Sequence, residues 1–131
     1  TGTLQASAPP APFVSGARHA IPQLGDLTLT DVQVVTSAQN PAIAAGRAQV
    51  QIRMAAPAGV DWPTWLPVLR CFDGSAARSA TVAEADGTTT LAYDVPMSVL
   101  GHAEESLWQI TAPSDDGLGA AYRWAFPLAL P

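Results

Sequence analysis

Two tryptophans lie three residues apart in the segment Asp61-Trp62-Pro63-Thr64-Trp65, and they are the side chains best suited to bind a ligand. A rigid indole ring offers a large contact area at a small entropy cost, so a loop tryptophan can stack on a sugar or receive a partner peptide. Pro63 is expected to prevent a helix here, so the two rings need not share a face. We therefore take Asp61, Trp62 and Trp65 as candidate partner-binding or ligand-binding residues. The alternative is that Trp65 begins a core strand and Trp62 covers the end of the domain.

Adjacent carboxylates in the segment PSDDGLG form a second candidate site. Asp115 and Asp116, together with loop carbonyls, supply the oxygen ligands that Ca²⁺ prefers. A calcium loop usually adds further oxygen ligands at alternating positions, and the sequence has none there. The alternative is a polar hairpin loop, and we predict neither a bound metal nor a cofactor.

Catalytic groups are sparse in this sequence. Cys71 is the one cysteine, and the histidines are His19 and His102, outside any recognisable nucleophile motif. A lone cysteine forms no internal disulfide and is most often a small buried side chain. Arg53 and Arg70 are each the charged member of a mostly apolar or neutral stretch, suited either to anchor a carboxylate or to cover apolar neighbours with their stems. We predict no catalytic residue and no enzyme activity.

The elements that must position these residues have the two-residue period of β-strands. In RAQVQIRM, Ala48, Val50, Ile52 and Met54 alternate with polar residues, which predicts a strand with one buried face. In DLTLTDVQVVT the apolar phase slips near Thr30 and Asp31, which predicts a β-bulge or a strand that changes sheets. The sequence predicts about seven strands, at 26–36, 47–55, 65–72, 78–84, 88–96, 106–112 and 120–130.

Turn signals separate several of these strands. Asp73-Gly74 and Asp86-Gly87 favour tight turns because glycine adopts positive φ at little cost, and together they predict a meander of three strands. The segment MSVLGHAEES is interrupted by Gly101, so we expect at most one turn of helix there. Residues 1–25 are rich in Pro and Ala and predict an extended linker or tether, partly docked on a domain that spans 26–131.

Composition narrows the classes of partner. The chain has 131 residues, a net charge of −5 and six basic residues, all of them scattered arginines. Nucleic-acid binding needs a basic stripe that releases counterions from phosphates, so nucleic acid is excluded as a partner. No apolar run has the length of a membrane span, so membrane insertion is excluded as well.

The number and spacing of the strands over residues 25–131 resemble bacterial extracytoplasmic immunoglobulin-like or fibronectin-type-III-like β-sandwich domains. The antibody pattern of two cysteines around a tryptophan is absent, because Cys71 has no second cysteine with which to pair. The resemblance implies an all-β fold, a single immunoglobulin-like antiparallel β-sandwich of about seven strands behind an extended N-terminal segment. It also implies a periplasmic, cell-surface or secreted location, and it assigns no functional residue.

Taken together, these features predict a non-catalytic protein-interaction or structural module of a secreted or cell-envelope bacterial protein. Its partner would be another protein or other domains of a larger chain. The alternative is a carbohydrate-binding module that uses Trp62 and Trp65 as a stacking platform.

Overall fold

The fold is taken from a computed structural model, which describes residues 2–3, 10–21, 23–57, 59–78, 81–85, 87–112 and 121–129. These residues form two short 3₁₀ helices, Trp62–Trp65 and Met97–Val99, and eleven strands. The strands are β1 (Gly2–Thr3), β2 (Ala11–Pro12), β3 (Arg18–Ile21), β4 (Gly25–Thr36), β5 (Arg47–Ala55), β6 (Val68–Arg70), β7 (Ala76–Arg78), β8 (Thr81–Ala85), β9 (Thr88–Pro96), β10 (Glu105–Thr111) and β11 (Ala121–Pro127).

The strands form the two layers of a β-sandwich, which confirms the all-β prediction. One sheet has the order β1-β3-β4-β5-β9-β8 and the other has the order β2-β11-β10-β6-β7. All neighbours are antiparallel except β1 with β3 and β2 with β11, which are parallel. Within the described part of the chain, no helix has the length and apolar character needed to cross a bilayer.

Strands β4 and β5 follow the predicted alternation closely. Ala48, Val50, Ile52 and Met54 are buried on the inner face of β5. The pairing of β4 with β5 shifts register between Leu29 and Asp31, so the predicted irregularity is a β-bulge within one sheet. The bulge lets β4 bury Leu27 and Leu29 on one side of the shift and still direct Val32 toward Ile52 on the other.

The core between the sheets is dominated by aromatic side chains. Trp108 of β10 and Trp124 of β11 are register partners with stacked rings, and their centroids are 4.9 Å apart. The Trp108 Nε1–H donates to the buried hydroxyl of Tyr93 at 2.8 Å, which joins the five-stranded sheet to β9 of the other sheet. Tyr122 and Phe126 continue the buried face of β11, and Leu128 extends it just beyond the end of the strand.

The N-terminal segment was predicted as an extended tether that is partly docked on the domain, and its described residues are extended and paired with both sheets. β2 pairs with β11 of one sheet and β3 pairs with β4 of the other, so residues 10–21 belong to the sandwich. Ile21 is buried, and Phe13 packs against Phe126 with ring centroids 5.4 Å apart. The proline-rich composition prevents a helix, but it leaves short extended pieces free to complete sheet edges.

The predicted three-strand meander is different in the structure. The Asp73-Gly74 turn joins β6 to β7 and the next turn joins β8 to β9, but β7 and β8 lie in different sheets. The stretch predicted as one strand at 78–84 therefore changes sheets. The strand predicted at 65–72 is shortened to Val68–Arg70, because the chain before it forms the first 3₁₀ helix. The predicted single helical turn is present at Met97–Val99.

Candidate functional site

Several connections meet at one end of the sandwich, which we call the loop end. The β3–β4 turn, the β5–β6 connection and the β8–β9 turn lie there, because Gly25 extends beyond the register pair Thr28 and Ala55, and Ala55 pairs with Thr88. Strand β10 finishes at this same end, where Thr111 pairs with Ala121. Asp115 and Asp116, the candidate calcium ligands, lie outside the described residues.

The Asp61–Trp65 segment forms a compact 3₁₀ turn at the loop end. Pro63, expected to prevent a helix, sits in its first turn, where the missing N–H is no loss. Thr64 donates its backbone N–H to the Asp61 carbonyl at 3.0 Å and its hydroxyl to the Asp61 carboxylate at 2.8 Å. The exposed Asp61 carboxylate thus holds the turn together.

Both tryptophans of this turn point into the core. Trp62 is 2% exposed and Trp65 is 5% exposed, and both belong to the main hydrophobic cluster. A sugar needs an open ring face to stack on, so neither indole offers the platform considered above. The physical reason is the 3₁₀ turn, which directs the first and fourth residues toward the same side because side chains three apart eclipse one another.

Leu66, which follows the turn, has an unusual position that the sequence did not single out. It adopts the left-handed conformation, with φ 49° and ψ 58°, and its side chain is 53% exposed. A non-glycine residue in this region costs about 1–2 kcal/mol. A residue before proline is normally extended, and Pro67 follows directly, so the sequence favours a different backbone at Leu66.

The buried neighbours of Leu66 explain why the strain persists. Trp65 and Pro67, the residues before and after Leu66, are both buried, whereas Leu66 itself is exposed. The Leu66 N–H donates to the Pro63 carbonyl at 3.2 Å, which closes the turn. Strained residues are retained where the surroundings over-determine them, and they concentrate at functional sites.

A concave surface feature lies on the outer face of the six-stranded sheet. A groove of about 350 Å³ is lined by Thr30, Arg53, Ala83, Ala85, Thr88 and Thr90. Arg53 makes a bidentate ion pair with Asp31, with both N–O distances 2.6 Å. The guanidinium is therefore already paired with a carboxylate of the neighbouring strand β4 and is not open to a ligand carboxylate. Arg70 is exposed on the other sheet.

The groups of possible catalytic use lie apart from the loop end. Cys71 is buried at the start of the β6–β7 turn, and burial raises the pKa of its thiol, which keeps it protonated. His102 contacts the Phe72 ring, with centroids 4.5 Å apart, and its Nε2 lies 2.9 Å from the Ser98 carbonyl oxygen. In the part of the chain that the structure describes, no three His, Cys, Asp or Glu side chains come together as a metal site.

Comparisons with known proteins bear on the fold. No family model matches the chain, and no curated protein matches it. An uncharacterized β-sandwich protein from Clostridium difficile 630, whose crystal structure was determined at 1.90 Å resolution, is similar in structure with a TM-score of 0.59. The likeness covers 92% of this chain and 96% of that one, at 12% sequence identity. At this identity the similarity shows the fold alone: the chain is a β-sandwich.

Proposed function

We propose that the chain is a non-catalytic protein-interaction or structural module of a secreted or cell-envelope bacterial protein, and that the loop end around Leu66 is its contact surface. The observation that carries this proposal is a half-exposed leucine in a strained, left-handed backbone between the buried Trp65 and Pro67. Interfaces draw most of their binding energy from a few rigid side chains that are already in position before binding.

The order of the strands supports an immunoglobulin-like version of the sandwich. Strands β4, β5, β9 and β8 lie side by side in the order that strands A, B, E and D have in constant-type domains. Strands β11, β10 and β6 follow the order G, F and C in the second sheet. In this correspondence the loop end carries the B–C connection, one of the places where such domains commonly bind partners.

The non-catalytic assignment has support of its own. A nucleophilic cysteine needs a lowered pKa and access to solvent, whereas Cys71 has a raised pKa and is 5% exposed. The extracytoplasmic location is inferred from the fold analogy, and it is tested by adding protease to cells whose outer membrane has been opened by osmotic shock. Degradation of the chain, or its presence in the medium, while a cytoplasmic marker stays intact is the expected result, and full protection would contradict the location.

The arrangement favours a protein partner over a carbohydrate. Sugar recognition by stacking requires an exposed aromatic face, and the two rings of the Asp61–Trp65 turn are buried. An exposed leucine that directly follows a turn with exposed Pro63 and Thr64 instead suits the small apolar pocket of another protein or of a neighbouring domain.

Site-specific photo-crosslinking tests the proposal. A benzophenone amino acid replaces the exposed Leu66 in one variant and the exposed Ala45 in a control, because Ala45 lies in the β4–β5 connection at the other end of the sandwich. We expect a discrete adduct from position 66 in producing cells and none from position 45. Mass spectrometry of the adduct then shows whether the crosslinked peptide comes from a second protein or from another domain of the same chain.

A second variant makes this experiment specific to Leu66. With the photo-crosslinker moved to exposed Thr64, Leu66→Asp should abolish the adduct, since a carboxylate cannot enter an apolar pocket without a large desolvation cost. Equal adducts from positions 66 and 45, or a Thr64 adduct that survives Leu66→Asp, would contradict the proposed contact surface.

A further inference from the structure

We propose that the N-terminal strap, residues 10–21, exchanges between two copies of this chain, so that each sandwich is completed by the strap of the other copy. The partner here is a second copy of the same chain, and the surface involved is the side of the sandwich between β4 and β11. This inference is independent of the contact surface at Leu66.

The strap crosses from one sheet to the other. Near β11, the Phe13 N–H donates to the Ala125 carbonyl at 3.1 Å. Near β4, the Gly16 N–H donates to the Leu29 carbonyl at 2.7 Å, and the Leu29 N–H donates to Ala17 at 2.8 Å. The bulge after Leu29 lies where the strap reaches β4. The strap thus closes one side of the sandwich with backbone hydrogen bonds to both sheets.

The strap also covers apolar groups that cannot be left open to water. Phe13 packs edge-on against Phe126, the His19 ring lies 5.7 Å from the Trp124 ring, and Ile21 is 2% exposed. If the strap leaves, the groove it covers fits a strap of the same sequence, because the hydrogen-bond register and the side-chain shapes are already complementary. A second copy is therefore the occupant that this surface selects.

The connection between the strap and the body has the character of a strained hinge. Gln23, in the short turn between Ile21 and Gly25, has a φ of 72°, a left-handed value that favours glycine. The turn passes close to the body at Gly25, where a Cβ atom would come within 2.9 Å of the Pro57 Cγ and glycine avoids the contact. An opened, extended hinge would release the strain at Gln23.

The closed monomer and the exchanged dimer contain the same strap contacts. Their equilibrium is therefore set by the hinge and by the cost of association, and short strained hinges favour exchange. A left-handed non-glycine residue in the hinge shifts that equilibrium toward the exchanged dimer by about 5- to 30-fold in each chain.

A disulfide trap distinguishes the two forms. Arg18 and Thr28 are register partners in the β3–β4 pair, and such partners lie about 4.5–5.5 Å apart between Cα atoms, within the range of a disulfide. The variant Arg18→Cys/Thr28→Cys, in a Cys71→Ala background, is refolded at high and at low concentration and then oxidised. Exchange gives a covalent dimer of twice 13.6 kDa on a denaturing gel, and its yield rises with the concentration at refolding.

The control pair joins strands that stay in one body in both forms. Gln33→Cys/Gln51→Cys in the same background links the register partners of β4 and β5, and it should give a bond within one chain at every concentration. In the trap variant, Gln23→Gly should lower the dimer yield several-fold, because glycine relieves the hinge of the closed form. The proposal is overturned if the trap pair gives as little dimer as the control pair, or if Gln23→Gly leaves the dimer yield unchanged.

Discussion

The strain at Leu66 can be measured by comparing two substitutions at this one position. Leu66→Gly and Leu66→Ala both remove the exposed side chain beyond Cβ, so the difference between their free energies of unfolding reports mainly on the backbone. In the left-handed region a residue with a Cβ is disfavoured by about 1–2 kcal/mol. Part of this advantage of glycine is lost, because its greater conformational freedom stabilises the unfolded chain by about 0.5–1 kcal/mol relative to alanine.

The Leu66→Gly variant is therefore expected to be about 0.5–1 kcal/mol more stable than the Leu66→Ala variant. At an ordinary position the order is reversed. Ala45 is exposed and is not among the described residues with positive φ, so Ala45→Gly should destabilise the protein by about 0.5–1 kcal/mol. A change of sign between the two positions is the signature of strain.

Urea unfolding followed by tryptophan fluorescence provides the assay, with equal denaturant slopes required before free energies are compared. If Leu66→Gly is less stable than Leu66→Ala by the amount found at Ala45, Leu66 is unstrained and the reasoning fails. If the predicted order is found, Leu66→Gly becomes a folded variant that lacks the contact side chain, in which loss of partner binding is not a consequence of unfolding.

Three further predictions concern the core and its response to pH. Trp62→Ala should cost about 3–5 kcal/mol in urea unfolding, as for other fully buried aromatic rings, and a loss below about 1 kcal/mol would mean that the ring is not in the core. Tyr93→Phe should cost about 1–3 kcal/mol, because it leaves the Trp108 N–H buried without its acceptor; a neutral result would show that this hydrogen bond does not form. Burial lowers the pKa of His19 in the folded protein from 6.5, so the unfolded chain binds more protons below that pH. Its contribution to stability is complete above pH 6.5 and is lost as the pH falls below it, so the decrease in melting temperature between pH 7 and pH 5 should be smaller in His19→Gln than in the unsubstituted protein; an equal decrease would contradict the lowered pKa of His19.

Part of the fold follows from local pattern. The alternation in β5 and the phase slip at Thr30-Asp31 are readable because a strand exposes every second residue to the same environment. Gly74 and Gly87 have φ values of 92° and 77°, as the two Asp-Gly signals predict. The buried faces of β10 and β11 follow from the same rule, since both strands line a core of aromatic side chains.

Other features were not readable because they depend on distant parts of the chain. The segments at residues 11–12 and 18–21 are too short to show a period, and they become strands because β11 and β4 offer free edges. The stretch from Ala76 to Ala85 has one pattern but lies in two sheets, since each half pairs with a different neighbour. Local alternation carries no information about which edge a strand will join.

The sequence by itself determined the β-class, an irregularity of β4 near Thr30 and Asp31, and the turns that follow Asp73 and precede Thr88. These depend on backbone preferences and on the two-residue period, both of which act over a few residues. Only the tertiary structure decided that Trp62 and Trp65 face inward while Leu66 faces out. The direction of a loop side chain is set by what the core has room to bury, and that room is created by strands far away in the chain.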